Sequence, residues 1–195
     1  MISPPPPEEI ILEMVLPTQN FRRYDILVPE GYKLRQFDHQ TDIDQFNKLL
    51  LNADMGTCRL DYWRNYILPD GFFVVEFLDT KQLVATCFAS HQPTQLHPFA
   101  GNLGWLAVDP LHRGKKLGNI VVSAVMNRLV AAGYRNIYLG THSFRLAAIK
   151  IYDAMGWIPF ICSSEIVEYW KKVYSELNLK VETDKWCFSG EEYKY

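Results

Sequence analysis

The sequence predicts an α/β fold built on a mixed sheet, and three observations carry that expectation. Two runs rich in β-branched and aromatic residues, FFVVEFL at 72–78 and LVATCFAS at 83–90, are separated only by the turn DTKQ, the pattern of a hairpin. Further on, strand-like NLGWLAV (102–108) and RNIYLGT (135–141) flank a helical stretch from Gly114 to Ala132, and a second helical stretch, Arg145 to Met155, follows. That β-α-β-α order implies two parallel strands joined by a helix crossing over the sheet. Finally, 195 residues of which 48% are hydrophobic and 14% aromatic suffice for a substantial core, without internal repeats or a low-complexity linker to divide it.

Taken in order, the chain starts with MISPPPPEEI, where Pro4 to Pro7 favour an extended polyproline arm, so residues 1–20 are read as an N-terminal Pro-rich extension and 21–195 as one domain. YKLRQF (32–37) alternates like a half-buried strand, and Thr41 opens a helix through Ile43, Phe46, Leu49 and Leu50. A short helix over Leu60 to Ile67 ends at Pro69-Asp70-Gly71, and the hairpin follows. The helix from Gly114 places Leu117, Ile120, Val121, Ala124, Val125 and Leu129 on one face and stops at Ala132-Gly133. WIPFIC (157–162) reads as a further central strand, Ser164 as the cap of a helix to about Leu177, and KWCFSG as an edge strand.

Composition narrows the function classes. A net charge of −2 with pI near 6.2 provides no global field for nucleic acid or an anionic membrane. The N-terminus lacks the pattern of a signal peptide, no run approaches the roughly 18 apolar residues of a membrane span, and a cytoplasmic protein is expected. Cys58, Cys87, Cys162 and Cys187 are widely spaced without a C-x-x-C pair, so they read as reduced packing residues and no metal is expected.

The chemistry concentrates in WLAVDPLHRGKKLGNIVV, residues 105–122. Here a strand ends in a turn with basic residues and glycine, then restarts as a helix. Backbone N–H groups at a helix start lack helical partners and sit at the positive end of the macrodipole, so such a turn suits phosphate. Arg113, Lys115 and Lys116 add charge, and Gly114 and Gly118 let an anion approach the backbone. The alternative reading is a solvated corner whose glycines serve turn geometry. Neither G-x-G-x-x-G nor G-x-x-x-x-G-K-[ST] is present, which disfavours a dinucleotide enzyme or an ATPase.

A second stretch, RLAAIKIYDAMGW (145–157), spaces Ala148, Tyr152 and Gly156 by four, which puts Ala148 and Tyr152 on one helical face and Gly156 at its end. Together the two stretches resemble the GNAT superfamily of acyl-CoA-dependent N-acyltransferases: the first is similar to its L-x-V strand followed by [RQ]-x-x-G-x-[GA], the second to its N-x-x-A-x-x-x-Y-x-x-x-G-[FW] helix. The likeness spans about residues 72–160. Two positions depart from it: Lys116 stands at the motif's middle glycine, and Arg145 where asparagine is usual.

The resemblance implies a GNAT-like sheet, mostly antiparallel, with splayed parallel strands at its centre and helices on both faces. It implies acetyl-CoA, or another short acyl-CoA, as cosubstrate, its pantetheine arm along Leu106, Ala107 and Val108. The pyrophosphate would rest on the amides of Arg113, Gly114, Lys115, Lys116, Leu117 and Gly118, with Asn119 in reach and Arg145 and Ala148 facing the carrier. Tyr152 matches the general acid that faces the departing sulfur. A backbone N–H of the 106–108 strand would polarise the thioester oxygen while a primary amine of a small molecule or peptide attacks directly.

That amine needs a base. The strand positions where the family often places one are Asn102, Leu103 and Gly104, leaving Glu76, His91 and His97 as candidates. The acceptor site is expected from residues 37–66 and the C-terminal tail. There Asp38, Asp42, Asp44, Asp54 and Asp61 hint at a cationic acceptor, and Tyr62, Trp63, Tyr66 and Trp105 at an apolar lining. The alternative function is a GNAT-fold protein that binds acyl-CoA without catalysis, as a sensor. An exposed tail strand would allow two copies to pair as a homodimer.

Overall fold

The computed structural model describes residues 10–190. Within them the elements run β1 (Ile11–Val15), β2 (Tyr32–Gln36), α1 (Ile43–Asn52), α2 (Leu60–Trp63), β3 (Ile67–Phe77), β4 (Gln82–His91), β5 (Gly101–Val108), α3 (Leu117–Ala131), β6 (Ile137–His142), α4 (Leu146–Ala154), β7 (Ile158–Ile161), α5 (Ser164–Glu176) and β8 (Cys187–Phe188). The strands form one sheet in the order β2-β3-β4-β5-β6-β1-β7-β8. It is antiparallel except at β5–β6 and β7–β8, the mixed α/β architecture that the sequence predicts, with β8 as the expected edge strand.

Three elements differ from the sequence reading. The boundary expected at residue 20 is not where the sheet begins: Ile11–Val15 form a strand hydrogen-bonded antiparallel to both β6 and β7. Leu12 and Met14 are fully buried while Ile11 is 58% exposed, so a period-two alternation seats this strand. Pro4 to Pro7 lie outside the described residues. The second difference is β3, which begins at Ile67. Pro69-Asp70-Gly71 are a bulge within it, where the pairing jumps from Ile67↔Ser90 to Phe72↔Phe88 and Asp70 takes a φ of 53°. The helix before it is correspondingly only Leu60–Trp63.

The third difference concerns α3. It is buried on more than the one face that its apolar stripe marks, with Val122, Ser123 and Met126 also inside. One side packs on the sheet, and the chain around Tyr24 covers the other. The Tyr24 N–H donates to Asn127 Oδ1 and Asn127 Nδ2 donates back to the Tyr24 carbonyl, both at 2.9 Å. The core continues through Trp157 and Trp170, both almost fully buried. All four cysteines are free, three of them buried and Cys162 exposed. No helix among the described residues is long and apolar enough to cross a membrane.

Candidate active site: a slot between diverging strands

The ladder between the parallel strands β5 and β6 is limited to Gly101↔Ile137 and Asn102↔Tyr138. Beyond Asn102 the two strands part. The divergence has a local cause on the other edge of β5, where the pairing with β4 passes from Phe88↔Gly104 to Thr86↔Ala107, so that β5 carries an extra residue. Trp105 absorbs this bulge with a φ of 57°, a conformation costing an L-residue roughly 1–2 kcal/mol. The bulge is tied down by Cys87, whose thiol donates to the Gly104 carbonyl at 3.3 Å.

The opened space holds two adjoining cavities. The first, about 560 Å³, runs along β5 to the start of α3 and is lined by Leu106, Ala107, Val108, Arg113, Gly114, Lys116, Leu117, Gly118, Asn119, Arg145 and Ala148. These are the residues expected to hold the carrier; Lys115, the remaining one, is exposed and does not line the cavity. The second cavity, about 430 Å³, shares Met55, Leu106, Arg145 and Ala148 with the first and continues past Tyr152 to β1 and β6.

At the head of the first cavity the turn is shaped by two left-handed residues, Gly114 at φ 78° and Lys116 at φ 60°. Lys116 is thus held where glycine would be unstrained, at a cost of about 1 kcal/mol. The first helical hydrogen bond of α3 is donated by Ile120 to the Lys116 carbonyl, so the amides of Leu117, Gly118 and Asn119 precede it at the positive end of the helix. Gly118 has a further role. A Cβ there would stand 2.8 Å from Ile151 Cδ1 and 3.6 Å from Val108 Cγ2, so its bareness lets α3 close on α4 and β5.

Arg145 spans the slot. Its Nη2 donates to the Asp54 carbonyl at 2.9 Å and its guanidinium lies 5.1 Å from the Phe144 ring, joining the start of α4 to the turn after α1. Tyr152 lines the second cavity and is only 4% exposed. Burial pushes its hydroxyl well above its ordinary value, nearby Cys87 adds to the shift and Arg145 opposes it, so the phenol keeps its proton.

Comparison with known proteins follows this geometry. Residues 35–157 match the model of the Acetyltransferase (GNAT) family. The chain belongs to this family. Its fold is also that of solved GNAT structures: a GCN5-related N-acetyltransferase from Sphaerobacter thermophilus aligns with a TM-score of 0.61 at 18% identity, over 76% of this chain and 48% of that one. The tandem GNAT protein from the clavulanic acid biosynthesis pathway gives 0.60 at 17% identity, over 76% and 50%. The NatC complex bound to Gag peptide and CoA gives 0.56 at 17%, over 64% and 83%. The chain spans about half the length of the first two. No curated protein matches its sequence.

Within this GNAT slot, none of the three bases expected from the sequence lines either cavity. Glu76 is engaged by Arg35 Nε at 2.8 Å, in a network that also holds buried Asp42. His91 Nδ1 lies 2.9 Å from the Tyr134 hydroxyl, and His97 is wholly buried with Nε2 3.2 Å from Glu13 and its ring stacked on Tyr138. The histidine that does line the second cavity is His142, at the end of β6. Its Nδ1 is buried without a hydrogen-bond partner, and its ring stacks on Phe144 at 5.4 Å. Tyr138 and Gly140 of the same strand also line this cavity, as does Thr141.

The acidic cluster does not assemble there either. Asp38, Asp42, Asp44 and Asp61 line neither cavity, and Asp54 lines only the first. Of the aromatic residues, Trp63 and Trp105 do line the second, whereas Tyr62 and Tyr66 do not. No group of three or more metal-ligating side chains occurs among the described residues.

Proposed function

We propose that this chain is an N-acyltransferase moving an acetyl or other short acyl group from its CoA thioester to a primary amine. The observation that carries this reading is the slot between β5 and β6, which opens beyond Asn102 and runs from the amides at the start of α3 to the Tyr152 hydroxyl. The residues present fit the carrier. The α3 amides, with Arg113 and Lys116 beside them, would hold its diphosphate; the exposed edge of Leu106 to Val108 would pair with its pantetheine amides; Gly118 and Ala148 leave room for the arm. Acyl-CoA supplies the activated thioester carbonyl.

The protein's own groups then handle protons. A primary amine of pKa about 10.4 pays roughly 4.6 kcal/mol to be neutral at pH 7, so a proton acceptor in the amine's arm is needed. His142 is placed there, and imidazole is the side chain suited to that exchange near neutral pH. A backbone N–H of β5 polarises the carbonyl as the amine attacks. As the C–S bond breaks, Tyr152 donates its proton to sulfur. A thiol of ordinary pKa about 8.5 leaves tolerably even unprotonated, so this donation contributes on the order of 100-fold. A thiol-release assay with acetyl-CoA over a panel of amines tests the reading, with CoA-dependent thermal stabilisation measured in parallel. Stabilisation without thiol release from any amine would assign a non-catalytic sensor instead.

A further inference from the structure

Resting on that reading, we infer that the amine arm of the slot selects a primary amine carried on an aromatic or branched apolar group, and discriminates against polycations. Among the described residues lining this cavity there is no aspartate or glutamate. Its apolar lining includes Ile11 from β1, Met55, Trp63 and Trp105, around a volume of about 430 Å³. Trp63 is itself seated by Phe88 at 5.4 Å and by Trp105 at 6.5 Å, so the aromatic wall is packed rather than loose. A ligand's apolar group is removed from water against such rings.

A second ammonium in the same space would have no counter-ion. The nearest charged group of the lining is Arg145, of the same sign, and it also lines the carrier arm. Of the acids outside this lining, Glu13 faces His97, Asp42 is held by Arg35, and Asp54 lines the first cavity alone. Burying an uncompensated cation is strongly unfavourable, whereas a single amine can enter neutral and leave its proton behind. The cavity's polar side chains, Gln92, Asn102 and Thr141, are neutral and suit an amide or hydroxyl on the ligand. The volume accommodates one ring on a short arm, either as a free arylalkylamine or as the first residue of a peptide.

The full chain is assayed for thiol release from acetyl-CoA with 2-phenylethylamine, a tetrapeptide beginning with phenylalanine, spermidine, and an N-terminally blocked peptide whose one amine is a lysine side chain. One or both aromatic amines should exceed the last two in kcat/KM by about 100-fold, and the better of them names the source. Spermidine or the lysine peptide within tenfold of the aromatic amines overturns the inference while leaving acyl transfer intact. Thermal stabilisation by each amine in the presence of free CoA separates the two claims. Added stabilisation by 2-phenylethylamine or the phenylalanine tetrapeptide but not spermidine, with no thiol released, upholds the inference and sinks transfer; neither stabilisation nor release by any aromatic amine sinks the inference. Ile11→Asp, at an exposed wall position, should improve spermidine relative to 2-phenylethylamine about tenfold by supplying the missing charge, and Trp63→Ala should raise the KM for the aromatic amines about tenfold with CoA-dependent stabilisation unchanged.

Discussion

The two arms of the slot draw on different kinds of information. The first cavity, the proposed carrier arm, takes about half of its lining from one continuous stretch, Leu106 to Asn119, and the rest from the turn after α1 and from Phe144 to Ile151. The amine arm gathers Ile11, Met55, Trp63, Trp105, Tyr138, His142 and Tyr152, contributed by five strands and helices and a turn. A diphosphate is recognised by backbone at a helix start, which local glycines and basic residues announce. An amine's surroundings are side chains that become neighbours only through strand order.

The sharpest way to break the distinction is His142→Ala, confined to the amine arm. It should lower kcat/KM at pH 7 by at least about 100-fold and remove an ascending limb from the pH–rate profile, with CoA-dependent stabilisation retained. A profile unchanged in shape would exclude His142 as the proton acceptor. Next comes Tyr152→Phe at the junction of the arms, expected to reduce kcat about 100-fold with the KM for acyl-CoA nearly unchanged. Because burial raises the Tyr152 pKa, its protonated form is the working one and persists well into alkaline solution, so this residue should impose no falling limb below about pH 10. A fall at lower pH that disappears in Tyr152→Phe would contradict that protonation state.

In the carrier arm, Gly118→Val would press on Ile151 and Val108 and shift α3 from β5. We expect the KM for acyl-CoA to rise some tens-fold, with far smaller change in the KM for the amine; an equal rise in both would erase the separation of the arms. The smallest effect belongs to Lys116→Gly. Relief of its left-handed backbone should stabilise the protein by up to about 1 kcal/mol, partly offset by glycine's greater unfolded-state freedom, while loss of its charge weakens CoA binding a few-fold. Differential scanning calorimetry with and without CoA reads both; unchanged CoA affinity would place Lys116 outside diphosphate recognition.

The same contrast separates what local spacing shows from what it hides. Tyr152 and Ala148 were legible because helical spacing places them on one face, and the α3 turn because it is read residue by residue. The role of Ile11–Val15 was hidden behind a proline-rich start: ILEMV carries no apolar-polar alternation, and nothing local says that it forms a strand between β6 and β7. Glu76, His91 and His97 were chosen by residue type, and each proves to be engaged elsewhere. His142 directly follows the run RNIYLGT and is the last residue of β6, and only the tertiary structure brings it to the second cavity.

Periodicity and turn chemistry alone thus mark the hairpin, the parallel crossover and the glycine-bearing basic turn before α3, because each is governed by interactions between residues close along the chain. Tertiary structure decides where β5 and β6 part, that an N-terminal strand walls the amine arm, and that this arm holds a histidine and two tryptophans but no carboxylate. Those outcomes depend on strand order, which pairs β1 with β6 across more than a hundred positions, and on the bulge at Trp105, neither of which leaves a mark in local spacing.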